Sequence, residues 1–108
     1  MSDRLDWVEV CAVDEIDEED VIRFDRGTKT YAVYRTLEGA FYATDGLCTH
    51  EQIHLADGIV IDSLIECPKH QGRFDIRSGE AKSAPACVNL RIHPVRIEAG
   101  RVHIGLSD

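Results

Sequence analysis

Two short motifs bring sulfur and imidazole donors together in this chain: Cys48-Thr49-His50 and Cys67-Pro68-Lys69-His70, with sixteen residues between His50 and Cys67. Each offers one soft thiolate and one imidazole, a pairing suited to a transition metal. Structural zinc accepts two cysteines and two histidines and is the first alternative. Zinc motifs usually leave about two to four residues between paired ligands, so that both reach one tetrahedral ion. The single residue between Cys48 and His50 makes that convergence awkward. A two-iron, two-sulfide cluster removes the difficulty, because Cys48 and Cys67 can bind one iron while His50 and His70 bind the other. The thiolates suit the iron that stays ferric, and the imidazoles suit the iron that changes state.

The elements that must position these motifs read as β almost throughout. Tyr31 to Arg35 and Ala40 to Thr44 are short aromatic and β-branched runs either side of Leu37-Glu38-Gly39, a hairpin pattern. Gly58 to Ile61 and Leu64 to Glu66 flank Asp62-Ser63 and predict a second hairpin, which fills the gap between the motifs. Each motif follows an apolar strand, so this hairpin can carry both loops to one end of a sheet. Val95 and Ile97, then Val102, Ile104 and Leu106, alternate around Ala99-Gly100, with Pro94 fitting an edge or a bulge. Trp7 to Ala12 and Val21 to Phe24 are further strand candidates, the second ending at Asp25-Arg26-Gly27. Between them, Asp14 to Asp20 holds six acids in seven residues and reads as a solvated loop or short helical turn. The same segment could serve as a partner-docking patch. Many short strands with regular turns imply an all-β sandwich or barrel. With 108 residues, the expected organisation is one domain, 1–108, with a site-bearing subdomain at 46–75 inside it.

Composition narrows the function further. The chain is 44% hydrophobic and 30% charged, as globular chains are, and carries a formal charge of −8 from 20 acids against 12 Lys and Arg. Phosphate backbones and anionic lipid would repel it, so neither nucleic acid nor membrane is an expected partner. Basic patches on proteins are. No apolar run approaches the ~18–20 residues of a membrane span. Met1 to Asp6 lacks the basic start and apolar stretch of a secretory signal, which predicts a cytoplasmic location. There, cysteines read as metal ligands or thiols before disulfides.

The words around the motifs carry a family resemblance. Cys48-Thr49-His50-Glu51-Gln52, Glu66-Cys67-Pro68-Lys69-His70-Gln71-Gly72, Phe74-Asp75, Ser78-Gly79 and Pro85-Ala86 closely resemble the Rieske signature. Most similar are the stand-alone Rieske ferredoxins of bacterial multi-component, ring-hydroxylating oxygenases. The resemblance implies a Rieske-type antiparallel β-sandwich or barrel, with a small cluster-binding subdomain of loops and a hairpin. It also implies one [2Fe–2S] cluster on Cys48, His50, Cys67 and His70. The partners implied are a flavin-dependent ferredoxin reductase and a terminal oxygenase. No catalytic residue and no direct organic substrate are implied, since 108 residues leave no room for a mononuclear-iron domain. The alternative within the family is a small subunit fixed in a larger enzyme, such as a nitrite-reductase-type assembly.

High-potential Rieske proteins add a cysteine pair where this chain has Ile53 and Lys69, and serine and tyrosine hydroxyls where it has Gly72 and Phe74. Hydrogen bonds to cluster sulfur raise the potential, so a value near the low end of the Rieske range, about −150 mV, is expected. Pro68 is expected to stiffen the second loop, Gly72 to allow a close backbone approach, and residues around Pro85 to shield the thiolates. Gln52 and Gln71 are either docking-face or ordinary loop residues. Cys11 reads as a buried structural thiol, and Cys87 as a neighbour of the site without a ligand role. His54 is expected to be exposed beside the docking surface, and His93 and His103 to be plain surface histidines.

Overall fold

A computed structural model describes residues 5–49, 52–68, 72–83 and 88–107. Its strands, in chain order, are β1 (Asp6–Ala12), β2 (Asp20–Arg26), β3 (Lys29–Arg35), β4 (Phe41–Asp45), β5 (Ile59–Ile61), β6 (Leu64–Glu66), β7 (Arg73–Asp75), β8 (Ala81–Ser83), β9 (Ile92–His93), β10 (Val95–Glu98) and β11 (Arg101–Leu106). Short 3₁₀ turns occupy Val13–Glu15 and Leu55–Asp57. Among the described residues no helix is long and apolar enough to cross a membrane.

The strands form three antiparallel sheets, ordered β1-β11-β10, β2-β3-β4-β9 and β5-β6-β7-β8. The middle sheet is covered on both faces, and β3 shows why. Tyr31 and Val33 point into an apolar core shared with Cys11, Ile16, Val102 and Ile104 of the first sheet and its flank. Ala32 and Tyr34 point the opposite way, into a second core with Val60, Ile65 and Phe74 of the third sheet. Strand side chains alternate between faces, so burial of four successive residues requires a layer on each side.

The expected hairpins are present. Asp62 and Ser63 (φ 50° and 67°) and Ala99 and Gly100 (φ 53° and 75°) both take the left-handed pair that two-residue hairpin turns demand. Val13–Glu15 is the short helical turn expected in the acidic segment. That segment is nonetheless anchored, because Ile16 is fully buried and its carbonyl accepts from the Arg35 guanidinium at 3.0 Å. Pro94 is where the chain changes sheets: β9 pairs with β4, and β10 pairs with β11. Register shifts lie instead in β1, between Glu9 and Cys11, and in β7, between Arg73 and Phe74. Strands β7 and β8 extend the third sheet beyond the β5–β6 hairpin.

Candidate metal centre

Both motif cysteines end in the second core. Cys48 and Cys67 are buried there together with Leu55, Ile65 and Phe74, between the middle and third sheets. Each opens a loop of similar construction. The Cys48 amide donates to the Ile53 carbonyl at 2.9 Å, and the Cys67 amide donates to the Gly72 carbonyl at 2.7 Å. In both cases the amide of the first loop residue reaches a carbonyl five positions on. His50 lies inside the first loop and His70 inside the second by sequence, and both fall outside the described residues, as do Glu51, Lys69, Gln71, Pro85, Ala86 and Cys87.

The loop bases differ. The second is the mouth of a regular ladder, where Glu66 pairs with Arg73 and three residue pairs join β6 to β7. Arg73 Nε also meets Glu66 Oε1 at 3.0 Å. The first closes on one isolated bridge, Leu47 with His54. Its outer end is tied to the segment after residue 87 by Thr49, whose hydroxyl donates to the Val88 carbonyl at 2.7 Å.

His54 is not exposed, contrary to expectation. Its side chain is buried against the β2–β3 hairpin, which the sequence alone gives no reason to place there. Nδ1 accepts the Ala56 amide at 3.0 Å, so in the neutral ring Nε2 carries the proton and donates to Thr30 Oγ1 at 2.8 Å. Thr30 in turn donates to the Asp25 carboxylate. Burial, reinforced by the Arg23 charge, pushes the His54 pKa down and favours that neutral ring. The Thr30 hydroxyl, followed by Arg23, holds the Asp25 carboxyl below its usual range.

His93 is a second correction. It is buried, with Nε2 at 2.8 Å from Asp45 Oδ1 and its ring edge-on to Tyr31 at 5.1 Å. Pairing of β9 with β4 turns that side chain inward. His103 is half-buried on β11. Cys11 is a buried thiol, as expected, with its pKa raised first by desolvation and then by Glu15. Of the residues tied to potential, Phe74 is fully buried beside the cysteines, and Gly72 is buried and supplies the carbonyl that closes the second loop. Pro68 and Gln52 are exposed on the two loops.

This arrangement fits an iron–sulfur group. Two thiols share one apolar core, and each begins a hydrogen-bonded loop that contains a histidine. Comparison with known proteins agrees. Residues 6–94 match the Rieske [2Fe-2S] domain family. The chain is 46% identical over 101 residues to the ferredoxin component of the naphthalene 1,2-dioxygenase system of Pseudomonas aeruginosa, covering 94% of this chain and 96% of that one. The Sphingomonas yanoikuyae B1 ferredoxin structure superposes with a TM-score of 0.88 at 34% identity, over 94% of this chain and 100% of the other. A chain from the complex of reduced oxygenase and oxidised ferredoxin in carbazole 1,9a-dioxygenase gives 0.86 at 34% identity, over 91% of each. The chain therefore belongs to the Rieske [2Fe–2S] family and carries one cluster of that type.

Proposed function

We propose that the chain is a one-electron carrier that takes an electron from a flavin-dependent reductase and delivers it to a terminal oxygenase. Cys48 and Cys67 hold one iron of the cluster and His50 and His70 hold the other. When bound, the cluster supplies a centre that gains and loses a single electron. The protein's part is to bury the thiolates in an apolar core, to close the two loops on backbone hydrogen bonds, and to keep the chain acidic. A formal charge of −8 steers it toward basic surfaces and away from polyanions.

The observation that carries this reading is the placement of Cys48 and Cys67 in one buried core, each at the head of a matching loop. Near full-length similarity to separate ferredoxin components, in systems such as naphthalene 1,2-dioxygenase, favours an exchangeable carrier over a fixed subunit. A cytoplasmic location suits such a carrier. The potential belongs near the low end of the Rieske range, about −150 mV, because neither Gly72 nor Phe74 offers a hydroxyl to cluster sulfur.

The test is electron paramagnetic resonance of the dithionite-reduced protein, with His70→Ala beside it. Mixed nitrogen and sulfur ligation lowers the average g relative to an all-cysteine cluster. The variant is expected to lose that spectrum, and an unchanged spectrum defeats the ligand assignment. Reconstitution with a reductase and an oxygenase tests the carrier role, and a midpoint potential well above zero defeats the low-potential reading.

A further inference from the structure

The two loops have unequal foundations. The second grows from the β6–β7 ladder, whereas the first closes on one isolated bridge, Leu47 with His54. A bridge of one residue pair, made by the Cys48 amide on the Ile53 carbonyl at 2.9 Å and the Leu55 amide on the Gly46 carbonyl at 2.8 Å, is a weak base for a loop, and two further contacts support it. In the first, the Gly46 amide donates to the Thr30 carbonyl at 3.0 Å. The second is the His54 imidazole, wedged between the loop base and the β2–β3 hairpin. It fills the space over Gly46 so closely that a Cβ there would stand 2.5 Å from Nε2. Both of its nitrogens are engaged, one inward on Ala56 and one outward through Thr30 to Asp25. Asp25 is itself held by Arg23 at 3.0 Å.

We propose that His54 is a positioning residue: its hydrogen-bond chain through Thr30 to Asp25 fixes the first ligand loop, 48–53, to the body of the sandwich, and thereby sets the lifetime and ligand geometry of the bound cluster. The proposal rests on the reading of Cys48 and His50 as ligands. His54 is buried, so opening the loop takes its two ring nitrogens from their partners, while the exposed Asp25 carboxylate at the outer end holds Thr30 in place to receive the ring.

Three variants of the holoprotein test it. Thr30→Val breaks the chain while preserving shape, His54→Leu removes both ring contacts, and His54→Gln restores a donor near the Nε2 position. Hydrogen exchange by mass spectrometry is read in residues 46–56 and, as reference, in residues 95–107. Bleaching of the visible spectrum in a chelator and the g values of the reduced state complete the readout. Thr30→Val and His54→Leu are expected to exchange about tenfold faster in 46–56 only, to bleach about tenfold faster, and to show displaced g values. His54→Gln is expected to recover at least half of each change. If His54→Leu assembles no cluster, Thr30→Val, which keeps the imidazole, decides. Unchanged exchange and bleaching in Thr30→Val, or equal acceleration in both segments, overturns the role of His54. An all-cysteine spectrum from the wild-type protein overturns the ligand reading instead, so the two failures are told apart.

Discussion

Replacing Gly58 by alanine isolates one steric contact beside the second ligand loop. Gly58 has ordinary extended angles, φ −92° and ψ −164°, so alanine meets no backbone penalty there. The added Cβ would fall on the carbonyl of Glu66, with the Leu55 carbonyl also at 3.2 Å. Both obstacles are main chain, so no rotamer change relieves them. Strand β5 must part from β6, and β5 is a three-residue edge held by the pairs Ile59–Glu66, Val60–Ile65 and Ile61–Leu64. Overpacking of this kind costs about 1–3 kcal/mol. With a urea slope of about 1–1.5 kcal/mol per molar for a chain of this size, the midpoint should drop by roughly 0.7–3 M.

Gly27→Ala is the control. Gly27 has φ +62° and nothing within 4 Å of an added Cβ, so it suffers only the left-handed penalty of about 1 kcal/mol. Unfolding can be followed by circular dichroism and by the fluorescence of Trp7, the single tryptophan. Both variants should unfold at lower urea. Gly58→Ala alone should also bleach faster in chelator, because Glu66 precedes Cys67. A Gly58→Ala protein with its midpoint within about 0.3 M of wild type and normal bleaching would refute the steric reasoning.

Phe74→Tyr puts a hydroxyl at the position where high-potential Rieske proteins carry one. A hydrogen bond of about 1.5 kcal/mol to reduced cluster sulfur should raise the midpoint by roughly 60 mV, read by redox titration. The Asp75 carboxyl is buried, and the Arg77 guanidinium bonded to it at 3.1 Å and 3.2 Å holds its pKa below the ordinary 3.8. The unfolded chain then binds the proton more readily, so this stabilisation is complete above about 3.9 and fades as pH falls through the depressed folded value. Asp75→Asn should accordingly be less stable than wild type near neutrality, with the gap closing in acid, as thermal unfolding at several pH values would register. Cys11, buried and with a raised pKa, should resist iodoacetamide in the folded holoprotein and react promptly once urea exposes it.

The chemistry of this chain is legible at short range. Cys48-Thr49-His50 and Cys67-Pro68-Lys69-His70 mark the proposed donors through spacings of two or three residues, which covalent geometry constrains whatever surrounds them. The β5–β6 and β10–β11 hairpins are equally local, since Asp62-Ser63 and Ala99-Gly100 supply turn chemistry between alternating strands. The buried histidines are different. His54 finds Thr30 twenty-four positions away, and His93 finds Asp45 forty-eight positions away. A lone histidine in a polar stretch carries no local sign of either meeting.

Strands β7 and β9 are of the same kind, three and two residues long, and exist as strands because β6 and β4 are beside them to accept their hydrogen bonds. The amino-acid sequence alone thus determined the all-β class and the acidic composition and supplied the proposed donor set, because each follows from residue type and near-neighbour spacing. Tertiary structure decided which face of β3 meets which core, where Pro94 hands the chain from one sheet to the next, and what braces the first ligand loop. Those outcomes depend on pairings between distant segments, and alternation along one strand says which residues share a face but not what covers it.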